Sequence, residues 1–329
     1  MKYFDKSNFL AFLIFGFMGA MMLIQPAAAK DYPDKPVRLI VPWPAGGLVD
    51  IAGRVVSKTL QTSLGQPFVI DNKLGAGGVL GADSVAKAPA DGYSLLLTTS
   101  ALNINAAIRL TQPYDVSNDF APIALIAWAP SVLVVNPALG VSTLQDLMAL
   151  AKSKPGKLTY ASAGVGSPAH LSGELFKTMA GIDILHVPYK GAPQAMTDLI
   201  SGQVDLLFAN SSVALSQIKA GKVRPIAVTS LQRYKGLPDV PTMNEAGVPK
   251  FEADQWLCIF APAGTPPAVQ VFLRNEFEKS LNNIEVRSTL EQNGMSVAAS
   301  STQTELAAFL KQDREKWVRV VKSANIPRE

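Results

Sequence analysis

Ser167 and His170 stand three residues apart near a proline and several glycines, the spacing at which a hydroxyl and an imidazole can meet. A nucleophile–base pair needs a third group to orient the base, and none is nearby. The G-x-S-x-G elbow that would present the serine is also missing. The ordinary role is stronger: Ser167 caps a helix that opens with Pro168, and His170 packs behind that cap. The two histidines, His170 and His186, lack the spaced carboxylates or cysteines of a metal site. Cys258 lies in the apolar run Trp256-Leu257-Cys258-Ile259-Phe260, where a buried structural thiol is expected. No catalytic residue, metal or cofactor is therefore assigned.

What remains is the chemistry of backbone N–H groups. Gly46-Gly47, Gly75-x-Gly77-Gly78 and Gly164-x-Gly166 each follow a short β-rich run and precede a helical pattern. Glycine lets bare backbone approach a ligand, and a helix N-terminus adds unpaired N–H donors with a partial positive charge. This combination binds anions. Neither phosphate fingerprint fits. No Gly-Lys-Ser/Thr follows the glycines, and Leu80 occupies the third position of G-x-G-x-x-G. Around the loops, Asp50 is a ligand-binding candidate that could meet a hydroxyl or amine; its other reading is a structural role at a first helical turn, since a bare carboxylate repels an anion. Arg54 and Lys73 are either ligand-facing cations or surface charges. Trp43 and Tyr189 either flank a flat ligand or pack at an edge. Thr98 and Ser100 end a strand and are equally suited to donate to a ligand or to cap the next helix. Asn210 ends another strand.

The elements that would carry these loops alternate. Strands are expected at Val37–Val41, Gln66–Asn72, Ser94–Leu97, Ile123–Ile126, Ser131–Val135, Leu158–Ala161, Ile182–Val187, Val204–Phe208, Val223–Val228 and near Gln255–Phe260. Helical spacing fills most gaps between them. Ser142-x-x-Gln145 and Thr302-x-x-Glu305 read as capping boxes, Thr265-Pro266 as a helix start, and Gly181 as a helix stop. Leu171, Leu175 and Met179 mark the core face of the helix after Ser167, and Leu306, Phe309, Leu310, Trp317 and Val320 that of the last helix. Short β-α-β connections predict mostly parallel sheets flanked by helices. The stretch 237–249 reads as a linker between two lobes.

At the N-terminus, Lys2 and Lys6 precede the apolar run Phe9–Ile24, and Ala27-Ala28-Ala29 fits a cleavage site. This is the pattern of an export signal ending at residue 29. Without those residues the formal charge falls from +4 to +3, scattered along the chain, which argues against nucleic acid. A lone cysteine excludes an internal disulfide and is compatible with a periplasmic location.

The chain resembles the Bug-type (TctC-like) substrate-binding proteins of tripartite tricarboxylate transporters. The resemblance rests on Val41-Pro42-Trp43-Pro44-Ala45-Gly46-Gly47 with Asp50, Asn72-Lys73-x-Gly75-Ala76-Gly77-Gly78 and Asp91-Gly92-Tyr93. It continues with Ser162-x-Gly164-x-Gly166-Ser167-x-x-His170, His186-Val187-Pro188-Tyr189-Lys190-Gly191, Pro238-Asp239-Val240-Pro241-Thr242 and Ala261-Pro262-x-Gly264-Thr265-Pro266. The motifs run in order across the mature chain. The resemblance implies a two-lobe periplasmic binding protein of the type II-like, Venus flytrap form. Lobe one would comprise 30–128 plus 251–329, and lobe two 129–250. It further implies a small-carboxylate ligand: a di- or tricarboxylate, an acidic amino acid or an aromatic carboxylate. Trp43, Ala45, Gly46, Gly47 and Gly75, Ala76, Gly77, Gly78 would serve from lobe one, and Ser162, Gly166, Ser167, His170, Tyr189, Lys190 and Gly191 from lobe two. Trp43 replaces the smaller ring common in the family, which favours a flat aromatic acid. The partners implied are membrane permease subunits, with the protein itself a monomer. A periplasmic ester hydrolase and a ligand-presenting sensory module are the alternatives.

Overall fold

The computed structural model describes residues 32–323 together with 325, 326 and 328; the expected export signal lies outside them. Two sheets form the frame. The first is six-stranded, in the order β11-β4-β10-β3-β1-β2. Its strands are β1 (Val37–Val41), β2 (Phe68–Asn72), β3 (Ser94–Thr99), β4 (Phe120–Ala129), β10 (Gln255–Pro262) and β11 (Ser296–Val297). The second is five-stranded, in the order β7-β6-β8-β5-β9. It is built from β5 (Ser131–Val135), β6 (Thr159–Ser162), β7 (Leu185–Pro188), β8 (Leu206–Asn210) and β9 (Arg224–Val228).

Both sheets are covered on both faces, which is why their strands read as continuous apolar runs. In β3, Leu95 and Leu97 face one side, among Val56 and Leu60 of α1 (Leu48–Leu64), Phe277 of α8 (Pro267–Asn282) and Leu290 of α9 (Ile284–Gln292). Leu96 faces the other side, with Val85 of α2 (Val79–Ala86), Leu102 of α3 (Ala101–Ile108) and Leu306 and Leu310 of α10 (Gln303–Ser323). The period-2 alternation of a strand produces this split. The second sheet packs Leu133, Tyr160 and Phe208 against Leu147 of α4 (Leu144–Ser153) and Phe176 of α5 (Pro168–Ala180). Its opposite face sets Val134, Leu207 and Ala209 against Met196 and Leu199 of α6 (Ala192–Ile200) and Ala214 of α7 (Ser211–Lys219).

The sheets are mixed rather than mostly parallel as expected: β1–β2, β1–β3, β6–β7 and β6–β8 are the parallel pairs. The remaining junctions are antiparallel. They arise where the chain passes between sheets: β4 runs through Pro130 directly into β5, with no crossover helix to reverse it, and β10 returns to the first sheet between β3 and β4. Thr229 ties the two crossings: its Oγ1 accepts from the Ser131 N–H at 2.9 Å and lies 3.1 Å from Asp254 Oδ1.

Several local expectations shift. The first capping box is Thr143 with Asp146 rather than Ser142 with Gln145, because the helix begins one residue later and the short carboxylate reaches the Thr143 N–H at 3.0 Å. Helix α8 starts at Pro267 with Pro266 as its cap residue, since the second proline takes the first helical position, and Thr265 Oγ1 finds no partner. Met179 is exposed, since steps of four drift about 40° each around a 3.6-residue helix; Phe176 is the buried anchor instead. The stretch 237–249 is no free linker: Met243 and Val248, with the following Phe251, are buried in the second sheet's core. The Thr302–Glu305 box, the Ser167 cap and the left-handed Gly181 stop form as expected.

Candidate ligand-binding cleft

A cavity of about 210 Å³ lies between the lobes. Trp43, Ala45, Gly46, Gly47, Ser167, Lys190, Gly191 and Asn210 line it, as do Thr99, Pro168, Phe208, Val213 and Gln255. Four helices begin at its wall: α1 after Gly47, α5 after Ser167, α6 after Gly191 and α7 after Asn210. Only α5 carries a side-chain cap, Ser167 Oγ accepting from the His170 N–H at 3.3 Å. By position, the N–H groups of Leu48, Val49, Ala169 and Ala192 have no intrahelical acceptor. Each helix start carries roughly half a positive elementary charge. Lys190 is the one ionisable side chain lining the cavity among the described residues, and no carboxylate lines it. The wall is otherwise mostly apolar. Such a cleft holds an anion through backbone donors and offers a carbon skeleton an apolar bed.

The first glycine loop is held from behind by Asp50. This carboxylate is buried and accepts from the Gly46 N–H at 2.8 Å, Arg54 Nε at 2.8 Å and Asn72 Nδ2 at 3.0 Å. Asn72 Nδ2 also donates to the Trp43 carbonyl at 2.9 Å. Burial opposes ionisation of Asp50, but the bonds from Arg54, Gly46 and Asn72 together outweigh it and hold the carboxyl below its ordinary range. Gly46 sits at φ +75°, in the left-handed region, which turns its N–H onto that carboxylate.

The second glycine loop is placed differently. Gly75, Ala76, Gly77 and Gly78 are absent from the cavity lining. The Gly77 carbonyl accepts from Asn105 Nδ2 at 2.9 Å and the Ala76 carbonyl from Arg109 Nη2 at 3.0 Å. A Cβ on Gly78 would touch Pro42 and the Trp43 ring at 3.6 Å, so this loop backs the first. Across the cleft, a Cβ on Gly166 would lie 2.8 Å from Asn105 Oδ1 and from Ile108 Cδ1. The second and third glycine loops thus meet at Asn105. Ile104, Ala107 and Ile108 of α3 join the second lobe's core there, with Trp317 and Val320 of α10.

The other expected residues, Thr98, Ser100, Ser162, Gly166, His170 and Tyr189, lie outside the cavity lining. Thr98 faces away from the cavity, and its neighbour Thr99 lines it instead, by strand alternation. Ser100 is fully buried without a partner for its hydroxyl. Ser162 Oγ is 2.7 Å from His186 Nε2, a hydroxyl–imidazole pair, but Ser162 is fully buried and outside the lining. His186 stacks between His170 (4.2 Å) and Tyr160 (4.8 Å), and His170 Nδ1 accepts from the Gly166 N–H at 3.3 Å. Burial, and then the charge of Lys177, depresses His170 to about 4; burial and then His170 depress His186 to about 3. Both rings are neutral near pH 7 and act as a rigid floor under the third loop. Tyr189 donates to Asp198 at 2.8 Å, and burial followed by that bond pushes its phenol up to about 12. Sequence reasoning missed Gln255, whose position just after the second crossing was the available signal.

Two sheets joined by two crossings, with a cleft walled by helix N-termini, define a two-lobe solute-binding protein. The profile of the tripartite tricarboxylate transporter family receptors matches residues 52–326, and the chain belongs to that family. Protein BugT of Bordetella pertussis is 38% identical over 309 residues, covering 93% of this chain and 94% of BugT. Among solved structures, an R. palustris protein with adipate superposes with a TM-score of 0.85 at 36% identity, over 90% of this chain and 99% of the other. MatC from Rhodopseudomonas palustris with bound malate gives 0.82 at 31%, over 88% and 100%. The matched family is one of transporter receptors, and the similar structures include the periplasmic binding protein BugD.

Proposed function

We propose that the protein captures a small organic carboxylate between lobe one, residues 30–128 plus 251–329, and lobe two, residues 129–250. It does so in the periplasm, after removal of residues 1–29, and hands the ligand to the permease subunits of a tripartite tricarboxylate transporter, acting as a monomer. The convergence of four helix N-termini on a cavity lined by no carboxylate carries the reading. One carboxylate of the ligand lies at the Gly46-Gly47 loop and the start of α1, and Lys190 with the start of α6 meets charge on the opposite wall. The ligands of the two R. palustris structures, adipate and malate, are small organic carboxylates of the same class. Asp50 and the Gly75–Gly78 loop support the site from behind.

Isothermal titration of the mature, ligand-stripped protein with aliphatic dicarboxylates, acidic amino acids and benzene dicarboxylates tests capture. Uptake of the tightest binder into vesicles carrying the permease subunits, with and without the protein, tests delivery. Saturable binding and protein-dependent uptake are expected. Absence of both would overturn the reading.

A further inference from the structure

At the hinge end of the cleft two primary amides meet. Gln255, 4% exposed, opens β10 directly after the second crossing, and Asn210 ends β8 at the start of α7. Both line the cavity. Gln255 Nε2 donates to Asn210 Oδ1 and, at 3.2 Å, to Ser131 Oγ. Ser131 follows the first crossing, and its N–H is bound by Thr229, the residue that ties the two crossings. The pair thus joins both hinge strands to the cavity wall.

The hydrogen-bonding capacity left over is specific. Each amide carries donor N–H groups and an acceptor oxygen. With Gln255 Nε2 and Asn210 Oδ1 engaged, Gln255 Oε1 and Asn210 Nδ2 are left without a hydrogen bond to another protein group among the described residues. Turning both amides over exchanges the atoms but leaves the same remainder, one acceptor beside one donor. A carboxylate satisfies only the donor, and an ammonium only the acceptor. A hydroxyl satisfies both, since it donates one hydrogen and accepts through its lone pairs.

We propose that Gln255 and Asn210 form a hydroxyl-reading subsite, and that the cleft prefers carboxylates bearing a hydroxyl over the matching acids without one. The proposal rests on the carboxylate reading above and deepens it. Because the pair also bridges the two crossings, the same contact ties ligand occupancy to the hinge.

The test is titration calorimetry of the intact mature protein with matched acids: succinate against malate, and glutarate against 2-hydroxyglutarate. Two ordinary hydrogen bonds correspond to a preference of roughly tenfold or more for the hydroxylated member. In Gln255→Met, which keeps the side chain's length and removes its amide, the ratio of the two affinities falls towards one. Equal affinities within each pair in the native protein overturn the proposal without any variant. A preference that survives in folded Gln255→Met also overturns it. Binding of plain acids alone leaves the carboxylate reading standing and removes the hydroxyl subsite; binding of no acid removes both.

Discussion

Replacing Asp50 with alanine removes the carboxylate that braces the first glycine loop through the Gly46 N–H, although this carboxylate is not among the groups lining the cleft. Three donors lose a partner: the Gly46 N–H, Arg54 and Asn72. Bonds to a charged acceptor are each worth about 1.5–3 kcal/mol when a buried partner is stranded. Arg54 is 57% exposed and returns to water at little cost, and Asn72 keeps its bond to the Trp43 carbonyl. A net loss of about 2–4 kcal/mol follows, a fall in melting temperature of roughly 3–6 °C for a chain of this size. Affinity should fall at least tenfold, because the loop's N–H groups are no longer held in place before the ligand arrives. Asp50→Asn retains an acceptor oxygen and should lose about half as much. The sign with pH is fixed. A depressed carboxyl contributes stability that is complete above its unfolded value near 3.9 and is lost as pH falls through the lower folded value, so native protein and Asp50→Asn should converge in strong acid. Differential scanning calorimetry beside ligand titration checks each part. An unchanged melting temperature in Asp50→Ala with lost affinity would refute the bracing role and make Asp50 a direct ligand contact.

Three further perturbations probe other parts of the structure. Gly166→Ala forces a side chain to φ +75° and to 2.8 Å from Asn105 and Ile108, so calorimetry should show a loss of about 1–3 kcal/mol together with weaker binding. Lys190→Gln should weaken dianionic ligands by less than tenfold and flatten the salt dependence of their binding, read by titration at several ionic strengths. His170 and His186 are depressed to about 4 and about 3, so the unfolded chain protonates first. Stability should be complete above pH 6.5 and decline from there towards pH 3, and His186→Gln should shallow that decline in acid melts.

Much of the frame was legible because its causes are local. Val37–Val41 is a strand because a short β-branched run between prolines suits a sheet buried on both faces, and Ser167-Pro168 starts a helix by a cap and a fixed φ. The cleft was legible in part. Gly46, Gly47 and Gly191 announce backbone exposure, and they do line it. Gly75–Gly78 carries the same glycine signal, but its place was set by Asn105 and Arg109, more than 25 residues away, which bind its carbonyls. Thr98 and Thr99 differ only in strand phase, which tertiary pairing decides. The antiparallel junctions were hidden for the same reason: direction depends on where β4 and β10 cross between sheets, not on the rhythm of elements. Asn210 could be named from its place at a strand end. Its amide partner Gln255, 45 residues further on, follows a loop-like stretch and carries no motif.

The central claim is that a backbone-lined, carboxylate-free cleft captures an organic acid without transforming it. A thermal-shift screen of the mature protein, stripped of carried-over ligand, addresses it most directly. A ligand that binds only the folded state at a hundredfold excess over its dissociation constant stabilises by about 2.7 kcal/mol. The melting temperature should rise clearly with one class of carboxylate, the compound being recovered unchanged. Folded protein that shifts with no carboxylate, or that consumes the compound that shifts it, would contradict the account.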